Sequence, residues 1–377
     1  MRHAFTTSAV ALATMALAAG CSTTPDTKAP ASAAPPSATL DVVAEIIDTR
    51  PGNIAVTPQG RVILSNHPLD QPRLRVVELL PDGTKAPFPT LDWSNGPETG
   101  EVGIASIIGV GSTTDGVVWM LDMGAPGHPP SLVGWDTIDD ELAQQIVLPD
   151  DVVTPISFLQ DFAIDERRGL IYIADMTLPA PGEPSSPAIV VVDLASGDAR
   201  RVLEGAEPLM PSERNVVIQG SFVAADVNGI TVPLHLGVNP IAIDPAFDWV
   251  YFGTINGDRV FRLPAEALSD PALDDAALAA SIEVYGPKPP SDGIAVDGRG
   301  RVYITDIEGS AIGVTTPGEY TVIAQDDELL AWPDGFAFGP DGSLYATQNH
   351  LNAHPALNAG NDTTVKPFRI VRLELAD

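Results

Sequence analysis

Six short runs of this chain carry side chains from which a binding or catalytic centre could be built. They are GNIAVTPQGRVILSN (52–66), SIIGVGSTTDGVVWMLD (106–122), QDFAIDERRGLIYIAD (160–175), NPIAIDPAFDWVYFG (239–253), DGIAVDGRGRVYITD (292–306) and DGFAFGPDGSLYATQ (334–348). Aligned on Ala55, Gly109, Ala163, Ala242, Ala295 and Ala337, the position three residues earlier holds Gly52, Ser106, Gln160, Asn239, Asp292 and Asp334; the next position adds Asn53 and Asp161. Asn and Asp are depleted in strands, so their return at equivalent strand starts needs a reason. One reason is local, since Ser-Asp-Gly and Pro-Asp-Gly are turn sequences with Asp as initiator. The other is a ring of oxygen donors. Asn239, Asp292 and Asp334 would offer hard oxygens that suit Ca²⁺ or another divalent cation better than Zn²⁺. Without a metal, the same ring with Asn53, Gln160 and Asp161 would bind a polar or cationic small molecule. Asp292 and Asp334 lie on successive copies, so mutual repulsion raises one pKa unless a cation sits between them. That makes both candidate catalytic bases.

Two further residues join the candidate ligand-binding set. His67, in SNHPLDQP, follows the first run and would sit at the top of a channel; Trp332, just before Pro333 and Asp334, would present a face to ligand. His350 and His354 are four apart, but QNHLNAHPALNAG reads as an Asn-rich loop rather than a metal-binding helix face. Asn66, Asp122, Asp175 and Asp306 end the second strands and read as solvated turn residues. HExxH, Walker and GxSxG signatures are absent from the sequence.

These residues need elements to position them. Each run reads as two short strands around a Gly/Asp/Pro turn, and between runs there is room for two more, such as RVVELLPDGTKAP (75–87) and AIVVVDLASGDARRVL (188–203). Four strands per unit of roughly 50 residues is the arithmetic of a propeller blade. The fold class is therefore all-β, a six-bladed β-propeller over 41–377, with the strand VVAEII (42–47) completing the last blade. Inner-strand residues of one register face each other across the axis. The longest interval holds a Pro-rich loop (178–187) and an insertion around 204–236. A further stretch, 264–282, has apolar residues at helical spacing and predicts one short helix.

Composition narrows the partners. The 377 residues carry 50 acids against 20 bases, a formal net charge of −30, and one cysteine. A disulfide framework is impossible, and so acidic a chain does not suit nucleic acid or anionic lipid head groups. The 44% hydrophobic content argues for a folded body.

The single cysteine lies at the end of a leader. Arg2 and His3 precede an uncharged stretch (4–20) that is short for a membrane span and fits a signal h-region, so 1–20 reads as a signal peptide. Leu17-Ala18-Ala19-Gly20-Cys21 resembles a bacterial lipobox, which makes Cys21 the lipidation site. Residues 21–40 then read as lipidated Cys21 and an Ala/Pro/Ser/Thr-rich disordered tether. The expectation is an exported lipoprotein facing the periplasm or cell exterior, touching the membrane only through that anchor.

RPGNIAVTPQGRVILSNHP, the GVNPIAID and VFRLPAEAL stretches, YGPKPPSDGIAVDGRGRVYITDIEGSAIGV and WPDGFAFGPDGSLYATQNHL resemble the bacterial members of the yellow/major royal jelly protein family, some described as L-dopachrome tautomerase-related. The resemblance spans roughly 41–375. It implies a six-bladed propeller, secretion, and a ligand in the central channel, with aromatic amines bound by some animal relatives. More distantly the chain is similar to gluconolactonase-like propellers, whose divalent-cation motifs Asn239 and Asp292 match; Gly52-Asn53 stands where their first-blade Glu would be, and Gln160 replaces an Asn. The expected function is binding of a small polar or cationic molecule in the channel. The rival is a metal-dependent lactone or ester hydrolase, or a dopachrome-type tautomerase, and a third class is a protein-interaction platform.

Overall fold

The computed structural model describes residue 1 and residues 37–180 and 183–376. The chain divides into two units, Met1–Ala34 and Pro35–Asp377. The signal-peptide and Cys21 readings lie outside the described residues. No helix among the described residues is long and apolar enough to cross a membrane.

The second unit contains six four-stranded antiparallel sheets, five of them built in chain order from the axis outward and the sixth completed on its outside by the first strand of the chain. The elements used below are β1 (Ser37–Ile46), β2 (Pro51–Val56), β3 (Ile107–Ser112), β4 (Leu159–Asp165), β5 (Val238–Ile243), β6 (Ile294–Val296), β7 (Pro333–Phe338) and β8 (Phe368–Ala376). Strands β2 to β7 are the innermost strands of blades one to six. The last blade is closed by the first strand, with β1 pairing β8 from Ser37 opposite Ala376 to Ile46 opposite Phe368. The ring thus leaves no open seam. β1 starts at Ser37, inside the stretch read as tether, because its pairing with β8 continues to the last described residues.

Small residues at the alignment positions follow from convergence on the axis. Ala55 and Ala163 are buried where sheets crowd together. Farther out the gap between sheets widens and is filled by large groups. Phe88, Trp93 and Trp135 pack with Ile63, Val76 and Met120 between blades one and two. Fully burying side chains of this size contributes about 1.5–3 kcal/mol each.

The inner strands share a defect that explains their polar residues. The ladder slips between Pro51 and Ile54, Ile107 and Val110, Leu159 and Asp161, Val238 and Ile241, and Pro333 and Phe336. In blade five it begins only at Ile294. Asn53, Gln160, Asn239, Asp292 and Asp334 fall in these bulges or before the ladder, where strand propensity exerts little force. Hydroxyls on the second strands take over the freed backbone groups. Ser65 accepts the Asn53 N–H at 2.9 Å and donates to the Ile108 carbonyl of blade two at 2.6 Å. Thr347 accepts the Gly335 N–H at 3.0 Å and donates to the Gly52 carbonyl of blade one at 2.7 Å. Thr305 accepts from both Asp292 and Gly293, at 3.0 and 2.8 Å.

The Asp-Gly pairs are therefore not turns. Neither Gly293 nor Gly335 has positive φ. A Cβ on Gly293 would collide with the Asp334 carbonyl oxygen, and one on Gly335 with the Asn53 side chain. Glycine is required there because neighbouring inner strands approach too closely for any side chain.

Where one helix is expected over 264–282 there are two, Ala265–Ser269 and Asp275–Ala280, separated around Pro271. Proline lacks the N–H that would continue the first helix, and Asp274 caps the second by accepting the Ala277 N–H. The excursion at 204–236 forms two small ribbons, Val217–Ile218 with Ser221–Phe222 and Ala224–Val227 with Ile230–Pro233. It is tied to the 349–364 loop by Ala224 N–H to the Leu357 carbonyl and Ala359 N–H to the Ala224 carbonyl.

Candidate functional site

The polar residues that start the inner strands divide into two groups along the axis. The first is a closed knot around Asp292. Its Oδ1 accepts from Asn239 Nδ2 at 2.8 Å and Gln160 Nε2 at 3.1 Å, and its Oδ2 accepts from the Trp332 indole at 2.7 Å. Residues of blades three, four, five and six thus meet on one carboxylate. Asp292, Asn239 and Trp332 are 3%, 1% and 1% exposed, so the Trp332 ring is packed rather than open to a ligand. Asp334 is equally buried and accepts from Asn349 Nδ2 at 2.6 Å.

An apolar cap closes this end. Met176, Ile255, Ile307, Trp332 and Leu351 cluster with Val216, Ile218 and Val223 of the 204–236 excursion, and Leu69 and Phe158 pack against them. Side chains from blades one, three, four, five and six can share one cluster only over the axis. The excursion is held down by the buried Asn256, whose Nδ2 donates to the Arg214 and Leu234 carbonyls at 2.8 and 3.0 Å while its Oδ1 accepts the Leu236 N–H at 2.9 Å. Glu308 adds an ion pair with Arg214 and accepts the Val217 N–H.

The second group faces open space. Asn53 and Asp161 lie at the inner end of a channel of about 420 Å³, whose walls are strands β2 to β7 and whose far rim is formed by the turns that follow them. The walls are apolar, with Ile54, Val110, Phe162, Ile241, Ile294 and Phe336 among them, while the titratable lining residues are Asp161, Glu166 and Asp244. The lining therefore holds three acids and no base. Asn53 Nδ2 donates to Asp161 Oδ1 at 3.2 Å across the axis, and the Phe162 N–H donates to the same oxygen at 2.9 Å.

The three axial carboxylates are all harder to ionise than usual. Burial pushes Asp161 up to about 7, against the pull of the Phe162 and Ile241 N–H groups, with repulsion from Asp292 adding to the rise. Burial raises Asp292 to about 6, opposed first by its bond from Trp332 and then by those from Gln160 and Asn239. Asp334 is raised well above its ordinary value by burial and by repulsion from Asp292 and Asp161. Near neutral pH the cluster therefore holds protons that a nearby cation could displace.

Divalent-metal chemistry fits this donor set poorly. Both oxygens of Asp292 already accept N–H groups, and Asn239 Oδ1 is the one partnerless buried oxygen within the knot. Among the described residues, no group of three or more His, Cys, Asp or Glu is placed to hold a metal ion. A hard dication wants six or more converging oxygens, which this knot does not present.

His67 does not line the open channel. It is buried, its Nδ1 accepts the Leu69 N–H at 3.2 Å, and burial beside Arg50 pushes its pKa down to about 3. That arrangement caps the turn Pro68–Asp70 rather than reaching the channel. His350 and His354 flank the turn Leu351–Ala353. The strand-end residues read as solvated are in fact buried. Asp122 accepts the Ala105 and Ser106 N–H groups at 3.0 Å, and Asp175 the Phe158 N–H at 2.8 Å, so each fixes the chain entering its own blade. Asp306 similarly accepts the Gly309 N–H at 2.7 Å. Missing from the sequence reading were Asn349, Asn256, Glu166 and Asp244. Only the last two carried a signal, since both follow an inner strand at the same turn.

Among solved structures, the chain is similar to a gluconolactonase from Xanthomonas campestris at 15% identity, covering 92% of this chain and 96% of that one with a TM-score of 0.54. It is also similar to a streptogramin B lyase, at 15% identity and a TM-score of 0.51 over 90% and 98% of the two chains. A PQQ-bound aldose sugar dehydrogenase from Streptomyces coelicolor gives 13% identity and a TM-score of 0.51 over 91% and 100%. At such identities these likenesses establish the propeller fold alone. No curated protein matches the chain in sequence. The family model for major royal jelly protein matches residues 109–377, well over half the chain. The chain therefore belongs to the major royal jelly protein family.

Proposed function

We propose that this protein binds a small organic cation, an amine on an apolar or aromatic body, in the open half of its central channel. The observation that carries this reading is the channel lining: three carboxylates, no basic residue and apolar walls, with Asp161 at the inner end. The ammonium would meet Asp161 and Asn53, and the body would lie against Phe162, Phe336 and the aliphatic side chains. About 420 Å³ is within the range of small-ligand sites. Aromatic rings in the wall add attraction for a cation, of order 0.5–2 kcal/mol. What supports binding over hydrolysis or tautomerisation is that Asp292 and Asp334, the candidate bases, lie buried beneath the cap.

Calorimetric titration with phenethylamine tests the reading. Binding should strengthen as pH rises through about 7, because the ammonium needs Asp161 ionised. Asp161→Asn should weaken it by roughly tenfold or more, the scale of one charge-assisted bond. Equal affinity in both proteins would overturn the assignment.

We further propose export and lipid anchoring at Cys21, supported by the basic start, the uncharged stretch and the lipobox-like residues before it. Cys21→Ser should then move the protein from the membrane to the soluble periplasmic fraction. Unchanged membrane association would exclude the anchor.

A further inference from the structure

The innermost strand of each blade is a sheet edge, and the parity of its ladder decides which backbone groups it turns to the axis. In blade five the Asp297 N–H donates to the Arg301 carbonyl, and in blade six the Gly339 N–H donates to the Ser343 carbonyl. Counting back from these bonds, Ala295 with Tyr303 and Ala337 with Tyr345 are hydrogen-bonded pairs. Ile294 with Ile304 and Phe336 with Ala346 are not. Ile294 and Phe336 therefore direct their N–H groups at the axis. The equivalent residues of blades one and three do the same, and there the donors are used. Ile54 donates to Asn53 Oδ1 at 2.8 Å and Phe162 to Asp161 Oδ1 at 2.9 Å.

Blades five and six differ at one position. Where blades one and three carry Asn53 and Asp161, they carry Gly293 and Gly335, which have no side chain to accept the next N–H. Among the described residues, the Ile294 and Phe336 N–H groups have no partner. They lie open to the channel, because Gly293 and Gly335 line it and a glycine lines a cavity only through its backbone. Blade three stands opposite blade six in a six-bladed ring, so two unmet donors face Asp161 across the axis. Unmet N–H groups at the inner end of a channel call for an acceptor. Two of them on neighbouring strands match the two oxygens of a carboxylate.

We propose that the channel ligand is an α-amino acid with an apolar or aromatic side chain. Its ammonium sits on Asp161 and Asn53 Oδ1, and its carboxylate on the N–H groups of Ile294 and Phe336. The assignment rests on amine binding at Asp161 and narrows it, since an amine alone leaves both donors unmet. The side chain lies along the apolar walls toward the open rim. A zwitterion brings its own counter-charge, so its carboxylate is tolerated in a channel whose other titratable groups are acids.

The test is calorimetric titration of the full chain at about pH 8, where Asp161 is ionised, with L-phenylalanine, phenethylamine and 3-phenylpropionate. The three share a phenyl body and a two-carbon stem and differ only in the charged groups they carry. Phenylalanine should bind at least tenfold more tightly than either of the others. Ile294→Pro removes one donor without breaking a ladder bond, and Ile294→Ala controls for the lost side chain. Ile294→Pro should bind phenylalanine at least tenfold more weakly than Ile294→Ala does, while phenethylamine binds the two variants alike. Should the proline variant melt far below the parent, the three ligands on the parent protein decide. The inference is overturned if phenethylamine binds as tightly as phenylalanine, in which case amine binding stands, or if both folded variants bind phenylalanine alike. If neither amine binds, or if 3-phenylpropionate binds as tightly as phenylalanine, amine binding at Asp161 falls as well.

Discussion

The two halves of the propeller axis are built from the same repeat register and have opposite fates. At one end Gln160, Asn239, Asp292 and Trp332 bond to one another beneath an apolar cap. At the other, Asn53 and Asp161 stand only one residue farther along their runs and line an open channel. A polar residue near the axis is thus not in itself a binding residue. What decides its role is whether neighbouring blades supply partners for it, and whether a connection from elsewhere in the chain covers it.

That contrast can be broken from the closed end first. Asp292→Ala would strand the N–H donors of Gln160, Asn239 and Trp332 in a dry core, and should cost roughly 3–5 kcal/mol, read as a loss of unfolding free energy in denaturant. A loss below about 1 kcal/mol would mean the knot is not structural. Next comes the close approach of inner strands: Gly335→Ala places a Cβ against Asn53 and should cost about 1–3 kcal/mol. It should also perturb amine binding, since Asn53 lines the channel, whereas Asp292→Asn should affect stability more than binding.

Asn256→Ala is expected to have a smaller global effect with a local signature. It frees the Arg214 and Leu234 carbonyls and the Leu236 N–H, so hydrogen exchange should accelerate across 211–236 before it does elsewhere. Uniform exchange would show that the cap opens only with global unfolding.

A last effect is the pH dependence of stability. Asp161 has a folded pKa raised to about 7 against an ordinary 3.8. Its contribution is fully present below the ordinary value and is lost as pH rises through about 7. Asp161→Asn should therefore flatten the fall in melting temperature between about pH 4 and 7. An unchanged slope would place the titration in Asp292 and Asp334 instead. Phenethylamine should offset the same fall in the parent protein, because it favours the ionised carboxylate.

Much of the architecture was legible in the chain because its signals are local and repeated. The small residue at Ala55, Ala163 and Ala295 and the aliphatic second strands recur at blade spacing, and VVAEII announced the strand that closes the ring. The candidate ring residues were legible too, since Asn and Asp are conspicuous at strand starts. Their partners were not. Asn349 reaches Asp334 from the far side of its own hairpin, and Asn256 fastens an excursion that begins more than forty residues earlier. Neither carries a distinctive neighbourhood in sequence. The strand-end acids Asp122 and Asp175 looked like ordinary turn residues because nothing local shows that their loops fold back over them.

The sequence by itself determined the number of blades, their closure and the register that brings Asp161, Asp292 and Asp334 to the axis, because a periodic pattern specifies how identical units stack. Only the tertiary structure decided which of these acids faces the open channel. Burial and hydrogen-bond partnership depend on groups brought together from different blades, and above all on the 204–236 excursion, whose apolar residues cover one end of the axis and leave the other open.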